Sequence, residues 1–407
     1  MRAVVFDGAI PRYLLTRALG LATPRALTGA LRCTRMRDVA PPALPNDAWV
    51  RVRTRLGGIC GSDLNLVTLH VSPSTSPFSS FPFVIGHENV GVVTEVGARV
   101  TRVAVGARVV ANPLLPCAVR GIDPPCEECA AGYPSRCQHF TDGVIAPGML
   151  LGTTRGLGGS WGDEFVAHES QLHLVADGVD DRTALLAEPL ACVVSPLLDH
   201  PPAEGTRVLV IGAGTMGLLA TAALKNMLRT DVTVLARHRF QGEHAERLGA
   251  DRVVYARDGY VDQLSRITQG RLLQPILGPK IHVGGFDTSM VCVGSNAAMH
   301  DALRFTRAGG SVTLLGNVAM LKRVDWTPVW LKELSLRGSL CYNAPVFRGE
   351  RTDAFSTAIE LLTSPLGARL MPLVTHVRPL REYAAALQTA MGRSGNRAVK
   401  VALAPAL

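Results

Sequence analysis

The sequence predicts an α/β protein in which a doubly wound parallel sheet is accompanied by a second, β-rich domain. Between about residues 207 and 340, short apolar runs alternate with segments of helical period, as is typical of parallel strands covered by helices. Before residue 180 the chain is instead rich in Val, Gly and Pro, with short strand-like runs at 49–53 and 90–96. These two observations determine the predicted fold class.

Six strands are expected in the central region, which fits a doubly wound sheet. They are predicted at residues 207–211, 232–235, 252–255, 286–293, 311–315 and 335–340. A helix-like segment at 382–391 and a strand-like segment at 398–403 follow, and we expect this tail to rejoin the β-rich domain. The predicted organisation is therefore 1–180 for the β-rich domain, 181–340 for the parallel-sheet domain and 341–407 for a segment that returns to the first domain.

Composition narrows the class of protein. A hydrophobic fraction of 47% with 18% charged residues is globular and argues against disorder. The net charge of +9 is scattered without a basic run, so we expect no nucleic-acid partner. No signal peptide or membrane span is recognisable, and the expected location is the cytoplasm. A helix-like segment at 13–32 has an open role: it could contact a membrane, contact a second subunit in a dimer, or form a lid over the pocket.

A glycine-rich turn follows the first predicted parallel strand. Gly212 permits a tight turn, Gly214 lets the backbone approach a pyrophosphate, and Gly217 allows close packing of the helix that follows. This strand, turn and helix predict a dinucleotide-binding site. The candidate cofactor-binding residues of this turn and of the end of the fourth predicted strand are Gly212, Gly214, Thr215, Met216, Gly217, Val293 and Gly294.

Four of the nine cysteines, Cys117, Cys126, Cys129 and Cys137, lie within one short segment. The spacing of Cys126 and Cys129 is that of a zinc knuckle, and four thiolates would close a tetrahedral structural site without an open position for substrate. We therefore predict a structural zinc lobe at about residues 112–140.

A second candidate metal site combines different side chains. Cys60, His87, Glu88 and Glu188 supply one thiolate, one imidazole and two carboxylates. A catalytic zinc uses such a mixed set, because it keeps one position open for substrate. Each of these residues alone would more often be structural, so the prediction depends on their joint occurrence.

Several motifs occur together in one order: GGICGSD at 57–63, GHE at 86–88, the four clustered cysteines, EPL at 188–190 and the glycine turn. In this combination the chain resembles the zinc-containing medium-chain dehydrogenases, in the branch with sorbitol, threonine and butanediol dehydrogenases. The resemblance covers nearly the whole length. It implies a GroES-like catalytic domain, a Rossmann coenzyme domain, an active site in the cleft between them, and a homodimer or homotetramer.

The resemblance also implies residue roles. Cys60 and His87 match the first two catalytic zinc ligands, while Glu88 and Glu188 both remain candidates for the carboxylate. Ser62 matches the hydroxyl that hydrogen-bonds the substrate oxygen, and Asp63 matches the carboxylate that orients the zinc-bound histidine. The implied reaction is zinc-assisted hydride transfer between NAD(P) and a small alcohol/carbonyl pair of the secondary alcohol, polyol or amino alcohol type.

The sequence departs from the family in three places. Asn65 stands where a histidine often relays the alcohol proton, so a water chain, His70 or the cofactor ribose would have to complete that path. Cys117 is unusually far from Cys126, which makes it the most doubtful lobe ligand. At the position that normally carries an acid for the ribose hydroxyls stands Ala236, followed by Arg237 and Arg239, and this pattern favours NADP over NAD.

Two other functions compete with this prediction. A zinc-lacking quinone or enone reductase of the same fold would not need Cys60, His87 and Glu188 together. A nucleic-acid-binding protein with a zinc lobe would use the positive charge and leave the glycine turn merely structural.

Overall fold

The computed structural model describes residues 1–22, 33–316 and 321–406. The strands are β1 (Arg2–Phe6), β2 (Thr34–Asp38), β3 (Trp49–Gly58), β4 (Phe83–Val84), β5 (Asn89–Val96), β6 (Arg108–Ala111), β7 (Glu164–His168), β8 (Leu172–Leu174), β9 (Arg207–Ile211), β10 (Asp231–Ala236), β11 (Arg252–Tyr255), β12 (Arg271–Leu273), β13 (Ile281–Val283), β14 (Phe286–Val291), β15 (Thr306–Leu314), β16 (Ser335–Gly338), β17 (Val346–Phe347), β18 (Glu350–Arg351), β19 (Val374–Pro379) and β20 (Lys400–Ala404).

The α-helices are α1 (Ile10–Ala22), α2 (Gly61–Val67), α3 (Glu127–Ala130), α4 (Asp181–Ala184), α5 (Ala187–Asp199), α6 (Thr215–Ala223), α7 (Arg239–Arg247), α8 (Tyr260–Ile267), α9 (Asn296–Phe305), α10 (Thr327–Leu331), α11 (Ala354–Thr363), α12 (Pro365–Leu370), α13 (Tyr383–Met391) and α14 (Arg393–Asn396). Short 3-10 or π turns cover Pro73–Phe78, Pro134–Arg136, Glu169–Gln171, Leu224–Leu228, Met371–Leu373 and Leu380–Glu382. Within the described parts of the chain, no helix has both the length and the apolar character required to cross a bilayer.

The chain divides into two compact units. The first comprises Met1–Glu188, Tyr342–Pro345 and Phe355–Leu407, and the second comprises Pro189–Cys341 and Val346–Ala354. We predicted domain borders after residues 180 and 340, whereas the units change after residues 188 and 341, and a short second-unit segment interrupts the tail.

The second unit is built on a parallel sheet with the strand order β11-β10-β9-β14-β15-β16. Every neighbouring pair in this sheet is parallel. The predicted α/β class with a doubly wound sheet is therefore confirmed. β9 and β11 coincide with predicted segments, but β15 begins earlier than the predicted residue 311, because one arginine, one alanine and two glycines at 307–310 carry no clear apolar pattern.

An antiparallel hairpin of β12 and β13 lies between α8 and β14 and was not predicted. Its segment contains Pro275 and Pro279, which interrupt the apolar pattern on which strand prediction depends. In the first unit, α1 overlaps the segment 13–32 that we expected to be helical. Residues 23–32 of that segment lie outside the described residues, and its role stays a prediction.

Two sheets form within the described residues of the first unit. The larger has the order β19-β20-β3-β5-β6-β8, with β7 also paired to β3, and the smaller has the order β2-β1-β4. β20 runs antiparallel to β3, with Ala402 opposite Gly58. The C-terminal strand therefore lies beside the strand that leads into Cys60. Ile59 and Ile85 belong to one buried apolar cluster, which holds the two segments that carry Cys60 and His87.

Candidate functional site

Cys60, His87 and Glu88 meet in the first unit. Their potential ligand atoms all lie within 4.8 Å of one another. Cys60 is the N-cap of α2 directly after β3, and the two other residues lie between β4 and β5. A thiol, an imidazole and a carboxylate at this spacing form a donor set suited to zinc.

Asp63 connects two of these elements. Its Oδ2 accepts a 2.8 Å hydrogen bond from the backbone N–H of Cys60, and its Oδ1 lies 3.4 Å from Nδ1 of His87. Burial would lower the pKa of His87, but the Asp63 carboxylate and the neighbouring Cys60 outweigh it, so this pKa is raised well above its usual value. Asp63 thus fixes both the start of α2 and the orientation of the imidazole.

Glu88 forms a buried ion pair. Nζ of Lys400 lies 2.5 Å and 2.7 Å from the two carboxylate oxygens, and it also donates to the carbonyl oxygen of Ile59 at 3.3 Å. Burial would lower the pKa of Lys400, but the Glu88 carboxylate outweighs it and raises that pKa. Gly58 makes room for this pair, because a Cβ there would lie 1.9 Å from Oε2 of Glu88. Both oxygens of Glu88 are therefore engaged.

Glu188 lies in the first turn of α5 and is 6% exposed. Its Oε1 accepts a 2.5 Å hydrogen bond from the hydroxyl of Tyr342. Burial raises the pKa of Glu88 and the Glu88 carboxylate raises that of Lys400, and the charge of Glu188 acts in the same direction on both, so the two carboxylates and the lysine share one electrostatic environment. In the described residues, however, Glu188 does not join the group whose ligand atoms all lie within 4.8 Å.

The four lobe cysteines, Cys117, Cys126, Cys129 and Cys137, come together with their sulfur atoms within 4.8 Å of one another. All four are free thiols. Burial would raise the pKa of Cys126, but hydrogen bonds from backbone N–H groups, including that of Gln138, lower it to about 6. This cluster of unpaired thiols also fits a zinc ion.

Arg120 explains how the doubtful Cys117 reaches the cluster. It lies in the long segment between Cys117 and Cys126 and is completely buried. Its guanidinium donates to the carbonyl oxygens of Leu115 at 3.0 Å and Asp142 at 2.6 Å, and also to those of Ile145, Ala146 and Gly148. This network ties the long segment to the rest of the lobe, because a buried guanidinium requires such partners.

The glycine turn lies in the second unit between β9 and α6. Gly212 has a φ of +95°, and a Cβ on Gly217 would lie 1.8 Å from the carbonyl oxygen of Gly212. α6 begins at Thr215 with Gly214 as its N-cap and no side-chain cap, and Met216 lies in its first turn. Its first backbone N–H groups thus offer donors to an anion, so the turn fits a dinucleotide pyrophosphate.

The other candidate cofactor residues follow β10 and β14, the two strands that flank β9 in the sheet. β10 ends at the buried Ala236, and Arg237 is exposed just beyond it. Arg239 begins α7, and its guanidinium lies 3.3 Å from Glu243. Val293 follows β14 and approaches the turn, since its Cγ1 lies 2.9 Å from where a Cβ on Gly212 would be. Gly294 is exposed directly after it.

The sequence matches the family described as "Alcohol dehydrogenase GroES-like domain" over residues 46–177 and that described as "Zinc-binding dehydrogenase" over 215–364. It is 30% identical over 378 residues to an L-threonine 3-dehydrogenase from Saccharopolyspora erythraea, covering 90% of this chain and 94% of that protein. The chain belongs to the zinc-binding dehydrogenase family. The predicted family and its GroES-like and Rossmann domains are confirmed, and the protein is an oxidoreductase.

Two further comparisons agree with this family. The dehydrogenase is 29% identical over 340 residues to a sorbitol dehydrogenase from Arabidopsis thaliana, covering 83% of this chain and 82% of that protein. It shares its fold with a protein from Sinorhizobium meliloti 1021 described as a zinc-binding dehydrogenase and solved with NADP, at a TM-score of 0.70 and 22% identity. That match covers 93% of this chain and 98% of the other.

Sequence reasoning missed two residues that contact the carboxylates of the candidate site. Lys400 stands between Val399 and Val401, and a lysine inside an apolar strand signals a buried charge that needs a partner. Tyr342 follows β16, the last strand of the parallel sheet, and no sequence pattern marks it as a buried polar residue. Its contact with Glu188 joins residues far apart in sequence and is visible only in the folded chain.

The three residues considered for binding the substrate oxygen or relaying its proton lie on or next to α2. Ser62 is half-buried in its first turn, next to Cys60. Asn65 lies in the same helix, and its carbonyl oxygen accepts the backbone N–H of His70 at 2.8 Å. The His70 imidazole is exposed, and its Nδ1 lies 2.9 Å from the hydroxyl of Thr68. His70 is thus the titratable side chain that the fold places just beyond α2.

Proposed function

We propose that this dehydrogenase transfers hydride between a nicotinamide dinucleotide and a small secondary alcohol, polyol or amino alcohol, with zinc at the Cys60 site. The observation that carries the proposal is that the potential ligand atoms of Cys60 and His87 lie within 4.8 Å of each other, beside the Glu88 carboxylate. Relatives that match most of this chain are named threonine and sorbitol dehydrogenases, which supports this substrate class. Assaying these two alcohols and butanediol with both coenzymes tests it. Turnover of none of them would count against the class.

Charge balance suggests how the carboxylates divide their roles. The negative charges come from the thiolate of Cys60 and the carboxylates of Glu88 and Glu188. The positive charges of Lys400 and a divalent zinc ion would balance them. Because both oxygens of Glu88 already contact Lys400, a metal would have to compete with an ammonium group for them. Glu188 holds Tyr342 through Oε1. We therefore assign Glu188 as the carboxylate ligand and Glu88 as the counter-charge of the buried lysine.

A zinc ion held by these residues supplies a Lewis acid for the substrate oxygen, and the bound nicotinamide supplies the hydride acceptor or donor. The chain itself orients these groups. Asp63 occupies Nδ1 of His87 and leaves Nε2 as the ligand atom. Ser62 is placed to hydrogen-bond the substrate oxygen. Since the Asn65 amide cannot relay a proton, a water chain, His70 or the coenzyme ribose would have to take that role.

Glu188→Gln should lower kcat by about a hundredfold while the Kd for coenzyme changes less than about twofold. The reason is that the amide is a poorer metal ligand, whereas the glycine turn is untouched. Steady-state kinetics and coenzyme titration measure the two quantities. Glu88→Gln is the comparison variant, and we expect it mainly to lower the stability of the fold. An unchanged kcat in Glu188→Gln would remove Glu188 from the site.

We propose NADP as the preferred coenzyme, because Ala236 provides no acid to repel a 2′-phosphate and two guanidinium groups follow it. The double substitution Arg237→Ala with Arg239→Ala should lower kcat/KM for NADP by tenfold or more and leave kcat/KM for NAD nearly unchanged. Arg247→Ala, at the far end of α7, is the matched control. A tenfold preference of the wild type for NAD, or an equal loss with both coenzymes, would contradict the phosphate-site argument.

We propose that the four lobe cysteines hold a structural zinc. Cys129→Ala should then remove one zinc per chain and lower the Tm by more than about 5 °C, because the lobe has little apolar core of its own. Metal analysis and thermal unfolding measure both effects. Cys33→Ala, a buried cysteine outside both clusters, is the control and should keep its zinc. A fully stable Cys129→Ala protein would exclude a structural role for the lobe metal.

A further inference from the structure

Tyr342 directly contacts the proposed carboxylate ligand. Its hydroxyl donates a 2.5 Å hydrogen bond to Oε1 of Glu188, and the tyrosine is only 2% exposed. A hydrogen bond to a charged acceptor is strong and directional, so it fixes the rotamer of the carboxylate. We propose that Tyr342 is a positioning residue that holds Glu188 toward the metal site. This inference rests on the proposed role of Glu188.

The tyrosine ring is itself held in place. It packs edge-on against Phe355, with ring centroids 5.3 Å apart at 77°. Phe355 is fully buried and stacks on His173 at 4.6 Å. Since this aromatic stack fixes the ring of Tyr342, its hydroxyl is a stationary donor, and loss of the hydroxyl alone leaves the packing intact.

The backbone after Tyr342 is anchored to the cysteine lobe. Oδ1 of Asn343 accepts the N–H of Ser135 at 3.2 Å, and the N–H of Ala344 donates to the carbonyl oxygen of Gly132 at 2.8 Å. Both lobe residues lie between the third and fourth cysteines of the cluster. One short segment therefore joins the ordered lobe to the carboxylate of Glu188.

The two carboxylates of the site have different partners. Both oxygens of Glu88 contact the ammonium group of Lys400, whereas Oε1 of Glu188 accepts the hydroxyl of Tyr342. These separate partners keep the two carboxylates in separate roles, with Glu88 beside the lysine and Glu188 directed at the metal.

The test uses Tyr342→Phe in the full-length protein, with cobalt as a spectroscopic probe. We expect kcat to fall about tenfold, the KM for coenzyme to change less than about twofold, and the cobalt absorption of the catalytic site to shift. Bands lost in Cys60→Ala identify that site. The matched control is Tyr260→Phe, since Tyr260 donates a 2.8 Å hydrogen bond to Asp301 elsewhere in the chain. It should change neither kcat nor the spectrum.

Asn343→Ala is the second variant, because it keeps the tyrosine hydroxyl and removes the side-chain anchor to Ser135, while the backbone bond from Ala344 to Gly132 stays. It should shift kcat and the cobalt bands in the same direction as Tyr342→Phe, by a smaller amount. Wild-type kcat and bands in Tyr342→Phe overturn the role of Tyr342 and leave the zinc proposal standing. If active wild-type protein binds no cobalt at the Cys60 site, the zinc proposal fails, and the role of Tyr342 fails with it.

Discussion

Cys60→Ala should lower kcat/KM by at least about a thousandfold while the protein stays folded and still binds coenzyme. The substitution removes the thiolate from the grouping of Cys60, His87 and Glu88 and leaves the glycine turn between β9 and α6 unchanged. Steady-state kinetics, circular dichroism and fluorescence titration with coenzyme measure the three properties. The expected pattern is lost turnover with intact structure and intact coenzyme binding.

Cys33→Ala is the matched control for Cys60→Ala. Both cysteines belong to the first unit, but Cys33 is a buried thiol whose sulfur lies 3.9 Å from the hydroxyl of Thr16. Its replacement should keep turnover within about twofold of wild type, with at most a modest loss of stability. Retention of more than about a tenth of wild-type activity in Cys60→Ala would refute the assignment of Cys60 as a ligand.

Lys400→Met should lower the free energy of unfolding by about 3–5 kcal/mol, because it leaves the buried Glu88 carboxylate without a counter-charge. The side chains of Lys400 and Glu88 are 3% and 0% exposed. Urea denaturation measures the loss. Lys225→Met provides the control, since its pair with Asp251 is partly exposed, at 25% and 37%, and should be worth about 1 kcal/mol or less.

A double substitution separates charge from packing. Lys400→Met combined with Glu88→Gln removes both charges and should be clearly more stable than Lys400→Met alone, giving a coupling free energy of about 1–3 kcal/mol. If Lys400→Met costs less than about 1 kcal/mol, or if the double variant shows no coupling, the buried ion pair is not the stabilising contact described above.

The parallel sheet was predictable because buried parallel strands are continuous apolar runs, and β9 and β11 begin and end where the sequence pattern does. Local patterns of this kind do not depend on distant residues. The hairpin of β12 and β13 escaped prediction because prolines divide its apolar residues. Local periodicity thus made the fold class predictable, whereas the hairpin of β12 and β13 has no clear period and could not be detected.

The candidate site was predictable only in part. The joint occurrence of Cys60, His87, Glu88 and Glu188 and the family resemblance predicted one site, and the fold brings the first three of them together. Spacing argued against Cys117, yet the buried Arg120 network brings it to the other cysteines, a contact set that no motif encodes. Contacts such as these arise from tertiary packing and cannot be predicted from local sequence.

Zinc content measured together with activity in the purified wild-type protein tests most directly whether this dehydrogenase depends on zinc. We expect two zinc ions per chain, with turnover lost when a chelator removes the less tightly held ion and regained when zinc is added back. We also expect one zinc in Cys60→Ala and one in Cys129→Ala. Full dehydrogenase activity in undamaged protein that contains no zinc would refute zinc dependence.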